Sequence, residues 1–206
     1  MPITSLPGKY GIGCFSKEAY SFVDWLAEAG QTFWQILPVH PTSYGDSPYQ
    51  SFSTFSGNPY FIDLEALIEE GLLSRQECDS MDFGDFEDDV DYEDQYQNRY
   101  ILLTMAYERS NISQNPEYQK FVEENRWWLD DYALFMALKN RFNGQCWNEW
   151  PQDIRLRWGY SMEYYRRELY FDIEFQMFLQ FHFFRQYWKL KAYANENHIQ
   201  IIGDIP

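Results

Sequence analysis

Two apolar segments, each entered directly from a helical pattern, constrain the fold of this chain more than any other feature. A helical pattern begins after Ser16 and ends at Gly30, and residues 32–39 then form an apolar run that is typical of a buried strand. A second helical pattern over residues 163–195 leads into another apolar, β-branched run over residues 199–205. Helices that alternate with buried strands build parallel sheets, so this order predicts an α/β fold.

The segments between these units are predicted from their composition and spacing. Residues 1–13 look like the end of a strand followed by a loop, and residues 60–64 look like a short strand before a helix at 65–71. Residues 41–59 lack periodicity and are rich in Ser, Gly, Pro and Asn, which indicates a long loop. Long ordered loops in compact domains usually carry function. Further helices are expected around residues 91–105, 115–125 and 130–142.

Charge and composition argue against several classes of function. The net charge of −16 would repel the phosphates of nucleic acids and of anionic membranes, so neither is expected as a partner. The chain shows no signal peptide and no apolar run of about 18 residues, which predicts a cytoplasmic protein. Its three cysteines, Cys14, Cys78 and Cys146, are far apart and lack metal-binding spacing. We therefore expect no disulfide framework, no metal and no cofactor.

An acidic stretch at residues 79–94 has two interpretations, a calcium loop and the start of a helix. Residues 89–93 begin like a calcium loop, but Asp94 occupies the position where that loop requires glycine. We therefore favour a solvated turn in which Asp91 caps the helix that follows.

Aromatic residues make up 20% of the chain, which is high for a globular protein. Aromatic side chains usually fill cores by burying a large area, and their faces can also stack on sugar rings. Helix packing explains the tryptophans of the helical block about as well as glucan binding does, so they stay outside the predicted site: Trp127, Trp128, Trp147, Trp150 and Trp158.

Three motifs follow one another along the chain. They are residues 5–13 (SLPGKYGIG), residues 45–51 (GDSPYQS) continued by 55–60 (FSGNPY), and residues 201–206 (IIGDIP). Taken together, they resemble the amylomaltase-type 4-α-glucanotransferases of the α-amylase superfamily. In that family the corresponding segments are the loop after the first barrel strand, the most characteristic loop, and the third strand. The resemblance spans essentially the whole chain and is loosest in the helical block.

The resemblance implies a partial (β/α)8 TIM-type barrel, with about the first three strands present and a helical insertion after the second strand. In that scheme residues 1–64 hold the first two barrel strands, the first helix and the substrate-binding loop. Residues 65–162 form the helical insertion subdomain, and residues 163–206 hold a barrel helix and the third strand, truncated at Pro206. A complete barrel takes roughly 250 residues and eight strands, so we expect an N-terminal fragment.

The resemblance also implies a retaining transfer of α-1,4-glucan segments to the 4-hydroxyl of an acceptor glucan or glucose. The partners are then a maltooligosaccharide or α-1,4-glucan substrate and an acceptor sugar. In the family an Asp nucleophile and a Glu acid/base lie on later strands, and retaining chemistry holds two such carboxyls about 5 Å apart. We therefore expect no catalytic residue in this chain and no activity from the chain alone.

Four substrate-binding residues are predicted in this chain: Asp46, Ser47, Tyr49 and Asp204. Barrel sites form at the C-terminal ends of the strands, where the loop and Asp204 would lie. By resemblance, Tyr49 lies against the sugar ring in the donor subsite, Ser47 stands beside it and Asp46 orients the loop. Asp204 would hold the polar network of the site together. His40, just after the second strand, is a further candidate for the lining.

Three other interpretations fit parts of the sequence. An α-amylase-superfamily hydrolase shares the third-strand motif but rarely the loop at residues 45–51. A catalytically inactive glucan-binding or scaffolding protein would equally lack the catalytic carboxylates. An all-helical interaction domain is disfavoured by the Gly- and Pro-rich loop and by the two buried strand runs.

Overall fold

The computed structural model describes three stretches of the chain, residues 1–43, 45–84 and 89–205. Three members of the acidic stretch and the last residue of the third motif lie outside the described residues: Asp85, Glu87, Asp88 and Pro206. No helix of the described stretches is both long and apolar enough to cross a membrane.

The chain divides into two compact units. The first comprises Met1–Asn111 and His182–Pro206 and holds both strands, and the second comprises Ile112–Phe181 and is built of helices. One long helix, α9 (Tyr170–Glu196), contributes residues to both units.

The sheet of the first unit consists of two parallel strands, each preceded by a helix. Strand β1 (Phe33–Gln35) follows α1 (Lys17–Glu28), and β2 (Gln200–Ile202) follows α9. The register pairs Trp34 with Ile201. This arrangement confirms the α/β prediction and the order of helix and strand. Both strands are shorter than the apolar runs that predict them, because each has a single partner strand in the described sheet.

The expected strands at the start of the chain and at residues 60–64 are absent from the described structure. The chain instead forms 3-10 turns at Ile3–Ser5 and Pro59–Phe61. Proline has no N–H to donate to a strand ladder, and Pro2 and Pro7 flank the first of these turns. The sheet of the described residues therefore has two strands, where the sequence predicts about three.

Short helices complete the first unit. Asp91 caps one of them, because its Oδ1 accepts a hydrogen bond from Asp94 N–H at 3.0 Å, which confirms the predicted helix start. The described helices between the two strands in this unit are α2 (Leu64–Glu69), α3 (Arg75–Asp79), α4 (Tyr92–Asp94) and α5 (Tyr100–Arg109), with a π-helical turn at Gln95–Arg99.

A buried polar network ties this helical segment to the first motif. The guanidinium of Arg99 is fully buried and donates to Ile62 O at 3.0 Å and to Gln95 Oε1 at 3.2 Å. Gln95 in turn donates through Nε2 to Tyr10 O at 2.8 Å. Buried polar groups need such partners, so the π-helical turn that carries both side chains fixes the backbone of two loops.

The second unit is organised by one long helix. The sequence predicts separate helices at 115–125 and 130–142, but α6 runs without a break over Pro116–Arg141. Two shorter helices, α7 (Gln152–Arg155) and α8 (Gly159–Glu168), precede α9. One buried apolar cluster of this unit consists of six residues: Leu134, Ala137, Leu138, Trp150, Ile154 and Leu169.

Candidate functional site

The predicted site residues lie on two segments that follow the carboxyl ends of the parallel strands. Residues 36–43 and 45–58 follow β1 as a long loop with turns, and Gly203 and Asp204 follow β2. Because β1 and β2 are neighbours in a parallel sheet, both segments emerge at the same edge, where ligands of α/β folds usually bind. Strand pairing therefore brings together two segments that are far apart in sequence.

Backbone hydrogen bonds fold the loop around Asp46 into a compact turn. Ser43 N–H donates to Gln50 O, and Gln50 N–H donates to Ser47 O, both at 3.0 Å. Gly45 and Asp46 have φ angles of 91° and 55°, in the left-handed region. Glycine enters this region freely, and Asp is among the few other residues that tolerate it. The turn therefore depends on the Gly-Asp pair of the second motif.

Asp46 and Ser47 also support the turn through their side chains. Thr42 Oγ1 donates to Asp46 Oδ1 at 3.3 Å. Tyr49 N–H donates to Ser47 Oγ at 3.4 Å. Both contacts position the backbone next to Tyr49. Contact of the Asp46 and Ser47 side chains with a substrate stays a prediction.

A hydrogen bond joins Tyr49 to Asp204 across the two segments. The Tyr49 hydroxyl donates to Asp204 Oδ2 at 2.8 Å. This bond raises the pKa of Tyr49, because an ionised phenol would lose its donated proton and face the negative carboxylate. The Tyr49 side chain is 50% exposed, so a ligand can still cover part of its ring. The pair forms an exposed platform with an aromatic part and a carboxylate part.

Gly57, which sequence reasoning did not place in the site, anchors the far end of the loop. A Cβ added to Gly57 would lie 2.1 Å from Cδ1 of Phe183 in α9, far inside van der Waals contact. Only glycine allows the backbone to approach the ring this closely. Nearby, His40 Nδ1 and Ser56 O lie 3.0 Å apart, and the carbonyl must accept, so Nδ1 carries the proton. His40 therefore braces the loop in this structure.

A small cavity of about 110 Å³ lies beside the turn and has Asp46 and Tyr60 in its wall, together with Tyr92 of α4. Burial raises the pKa of both phenols, and the charge of Asp46 adds to the effect. Both hydroxyls therefore stay protonated and can donate hydrogen bonds at neutral pH. Sequence reasoning missed Tyr92 because it lies in the acidic stretch, where no local pattern links it to the loop.

The described residues offer hydroxyl, carboxylate and aromatic groups at this edge of the sheet. Such groups suit a polyhydroxy ligand, whose hydroxyls bind polar side chains while its C–H faces cover an aromatic ring. Within residues 1–43, 45–84 and 89–205, no group of three or more His, Cys, Asp or Glu side chains is arranged to hold a metal ion.

Comparison with known proteins connects this chain to one family. A family model described as 4-alpha-glucanotransferase matches residues 1–206. The chain is 50% identical over 206 residues to a 4-alpha-glucanotransferase of Clostridium butyricum, covering 100% of this chain and 42% of that protein. It is 44% identical over 207 residues to a 4-alpha-glucanotransferase of Thermus thermophilus, covering 98% of this chain and 40% of that protein.

A solved structure gives the same result. The amylomaltase from Streptococcus agalactiae in complex with acarbose superposes with a TM-score of 0.93 at 41% identity, covering 100% of this chain and 42% of that one. The chain therefore spans about two fifths of the length of the relatives that it matches.

Proposed function

The chain belongs to the 4-alpha-glucanotransferase family, and we propose that it carries the donor-binding part of an enzyme that transfers α-1,4-glucan segments to the 4-hydroxyl of an acceptor glucan or glucose. The observation that carries this proposal is the hydrogen bond between Tyr49 and Asp204. It unites the motifs at residues 45–51 and 201–206, which are far apart in sequence, in one exposed platform. A platform of this kind has the chemistry that a sugar ring requires.

In this proposal each of the four predicted residues has a separate role. The ring of Tyr49 covers the donor sugar next to the bond being cut, and Asp204 holds the Tyr49 hydroxyl in place while its second oxygen can accept from a sugar hydroxyl. Asp46 keeps the turn in its left-handed conformation, and Ser47 supports the Tyr49 backbone. Misplacement of such groups by about 1 Å can cost roughly 100-fold in rate, so these supporting roles matter.

We further propose that the first unit is part of a (β/α)8 barrel. Two adjacent parallel strands, each preceded by a helix, are the repeating element of that fold. The exposed side chains of Phe33 in β1 and Ile202 in β2 support this proposal, because parallel strands are normally covered on both faces. The platform then lies at the end of the barrel where active sites form.

The proposed reaction is a double displacement with retention. A carboxylate nucleophile forms a covalent glucosyl intermediate, and a second carboxyl group acts first as acid and then as base. The family resemblance assigns both groups to later strands than those of this chain. We therefore propose that the chain alone binds glucan and does not transfer it.

A segment exchange tests the proposal. This chain would replace the matching segment of the Clostridium butyricum relative, which is 50% identical to it. Incubation with maltotriose should then yield glucose and longer maltodextrins, measured by chromatography at several protein concentrations. The isolated chain is the matched control and should give no products while retaining affinity for maltooligosaccharides.

Three results would contradict the proposal. A folded exchange protein without any activity would refute the transferase assignment for this segment. Release of glucose without longer products would favour the hydrolase interpretation. Products formed by the isolated chain in proportion to its concentration would overturn the division between binding and catalysis.

A further inference from the structure

The second unit contains a cavity that plays no part in the proposed transferase site. Its volume is about 310 Å³, near the lower end of the ~300–1,000 Å³ that ligand pockets usually have. Every residue that lines it belongs to Ile112–Phe181. The cavity has an apolar floor and a charged rim, formed in part by Leu134, Leu138, Trp150, Ile154, Asp131 and Arg157.

Two tryptophans of this cavity differ sharply in exposure. Trp150 is buried in the core of the unit, with its indole N–H donating to Gln145 O at 3.2 Å. Trp147, three positions earlier, also lines the cavity but is 55% exposed. The exposed indole of Trp147 is therefore accessible to a ligand that enters the cavity.

The rim carries two planar hydrogen-bonding groups that pair with each other. Arg157 Nη2 donates to Asp131 Oδ1 at 2.8 Å, and both side chains are more than half exposed. The backbone of Arg157 has a φ of 56°, in the left-handed region that favours glycine. This conformation belongs to the C-terminal end of α7, where Trp158 N–H donates to Asp153 O at 2.9 Å. The guanidinium and the carboxylate therefore place paired donors and acceptors on the lining that they share with Trp147.

We infer that this cavity is a second binding site for an α-1,4-glucan segment. Guanidinium and carboxylate groups bind pairs of sugar hydroxyls, while an exposed indole covers the C–H face of a sugar ring. The rim pairs opposite charges, and the net charge of −16 disfavours polyanions, so a neutral polyol fits best. The choice of α-1,4-glucan among neutral saccharides rests on the proposed function.

Binding of maltoheptaose to the complete chain, measured by isothermal titration calorimetry, tests this inference. In a Tyr49→Ala background, which removes the proposed donor platform, one site should remain. Adding Trp147→Ala should weaken that site by at least about tenfold, or about 1.4 kcal/mol. Trp188→Ala is the matched control, because Trp188 is 54% exposed but lies outside the cavity lining, and it should leave the affinity unchanged.

A second variant removes the guanidinium without straining the backbone. Arg157→Gly should keep the thermal stability of the chain, since glycine accepts the left-handed conformation freely, and should still weaken maltoheptaose binding several-fold. Cellooligosaccharides, whose β-linkage changes the curvature of the chain, should bind this site more weakly than maltooligosaccharides.

The outcomes separate this inference from the proposed function. If Tyr49→Ala alone abolishes binding and Trp147→Ala has no effect, the donor platform stands and the second site is refuted. If Trp147→Ala weakens binding while Tyr49→Ala has no effect, the second site stands and the donor role of Tyr49 fails. If the unaltered chain binds no maltoheptaose, or binds cellooligosaccharides equally well, the glucan site is overturned.

Discussion

Replacing Tyr49 by alanine tests the donor platform most directly. The side chain is 50% exposed, and an aromatic side chain of this class offers ~200 Å² of surface, so a bound sugar can cover ~100 Å² of it. At ~25 cal/mol per Å², the lost contact amounts to ~2.5 kcal/mol. Because kcat/KM compares the transition state with the free enzyme and substrate, loss of this contact should lower kcat/KM by ~70-fold, since each 1.36 kcal/mol is a factor of ten.

The assay is the disproportionation of maltotriose by the segment-exchange protein, with kcat and KM measured separately. Tyr49→Phe keeps the ring and removes only the hydroxyl that donates to Asp204. It should cost less than about tenfold, the size expected for one partly solvated hydrogen bond of ~1 kcal/mol. Phe55→Ala is the matched control, because Phe55 is 52% exposed in the same loop and lies outside the predicted site. Its kcat/KM should stay within about twofold of the unaltered protein.

Three results would contradict this reasoning in whole or in part. Tyr49→Ala with a nearly normal kcat/KM per folded molecule would remove Tyr49 from the site. A fall in thermal stability that accounts for the whole loss of activity would reduce Tyr49 to a loop-packing residue, which its exposure argues against. Equal losses in Tyr49→Ala and Tyr49→Phe would show that the hydroxyl, held by Asp204, matters more than the ring.

Two further predictions concern stability. Gly57→Ala should lower the free energy of unfolding by about 1–3 kcal/mol, because the new Cβ would clash with Phe183. Thermal unfolding measures this change. Gly159→Ala is the control and should not destabilise the chain, because a Cβ at that position meets nothing within 4 Å. A Gly57→Ala protein with an unchanged Tm would refute the close approach. Burial and the charge of Arg185 lower the pKa of His182 from 6.5 to about 3. Between those values the unfolded chain binds a proton that the folded chain does not. The free energy of unfolding should therefore fall as the pH falls, by up to about 1.4 kcal/mol per pH unit. His182→Gln should reduce this dependence on pH. An unchanged dependence would contradict the assignment of the effect to His182.

Sequence patterns predicted the elements that depend on local chemistry. Gly30 has a φ of 69° just after α1, as expected for a glycine that ends a helix. Asp91 caps its helix because a short carboxylate can reach the first free N–H groups of the turn. The helix-to-strand order also follows from periodicity, since a buried strand and an amphipathic helix differ in the spacing of their apolar residues.

The features that sequence reasoning missed depend on distant contacts. The length of a strand is set by its partners, so the apolar run at residues 32–39 overstates β1. In the sequence Gly57 looks like any other loop glycine, because the contact that requires glycine comes from Phe183, on a helix far along the chain. Tyr92 enters the cavity beside the turn only because the helical segment folds back onto the loop. None of these contacts has a local signature.

The candidate site depends both on local motifs, which the sequence shows, and on a distant contact, which it does not. The motifs containing Tyr49 and Asp204 are visible in the sequence, but what joins them is the register in which Gln35 pairs with Ile202. Side chains alternate between the two faces along a strand, so a slip of one residue would turn the β2 side chains to the opposite face and displace Asp204 from Tyr49. The apolar contacts of the strands therefore determine whether the polar platform exists. Substitutions at Trp34 that shift this register should abolish glucan binding at the platform without touching a sugar, and the platform affinity and the thermal stability of such variants should fall together.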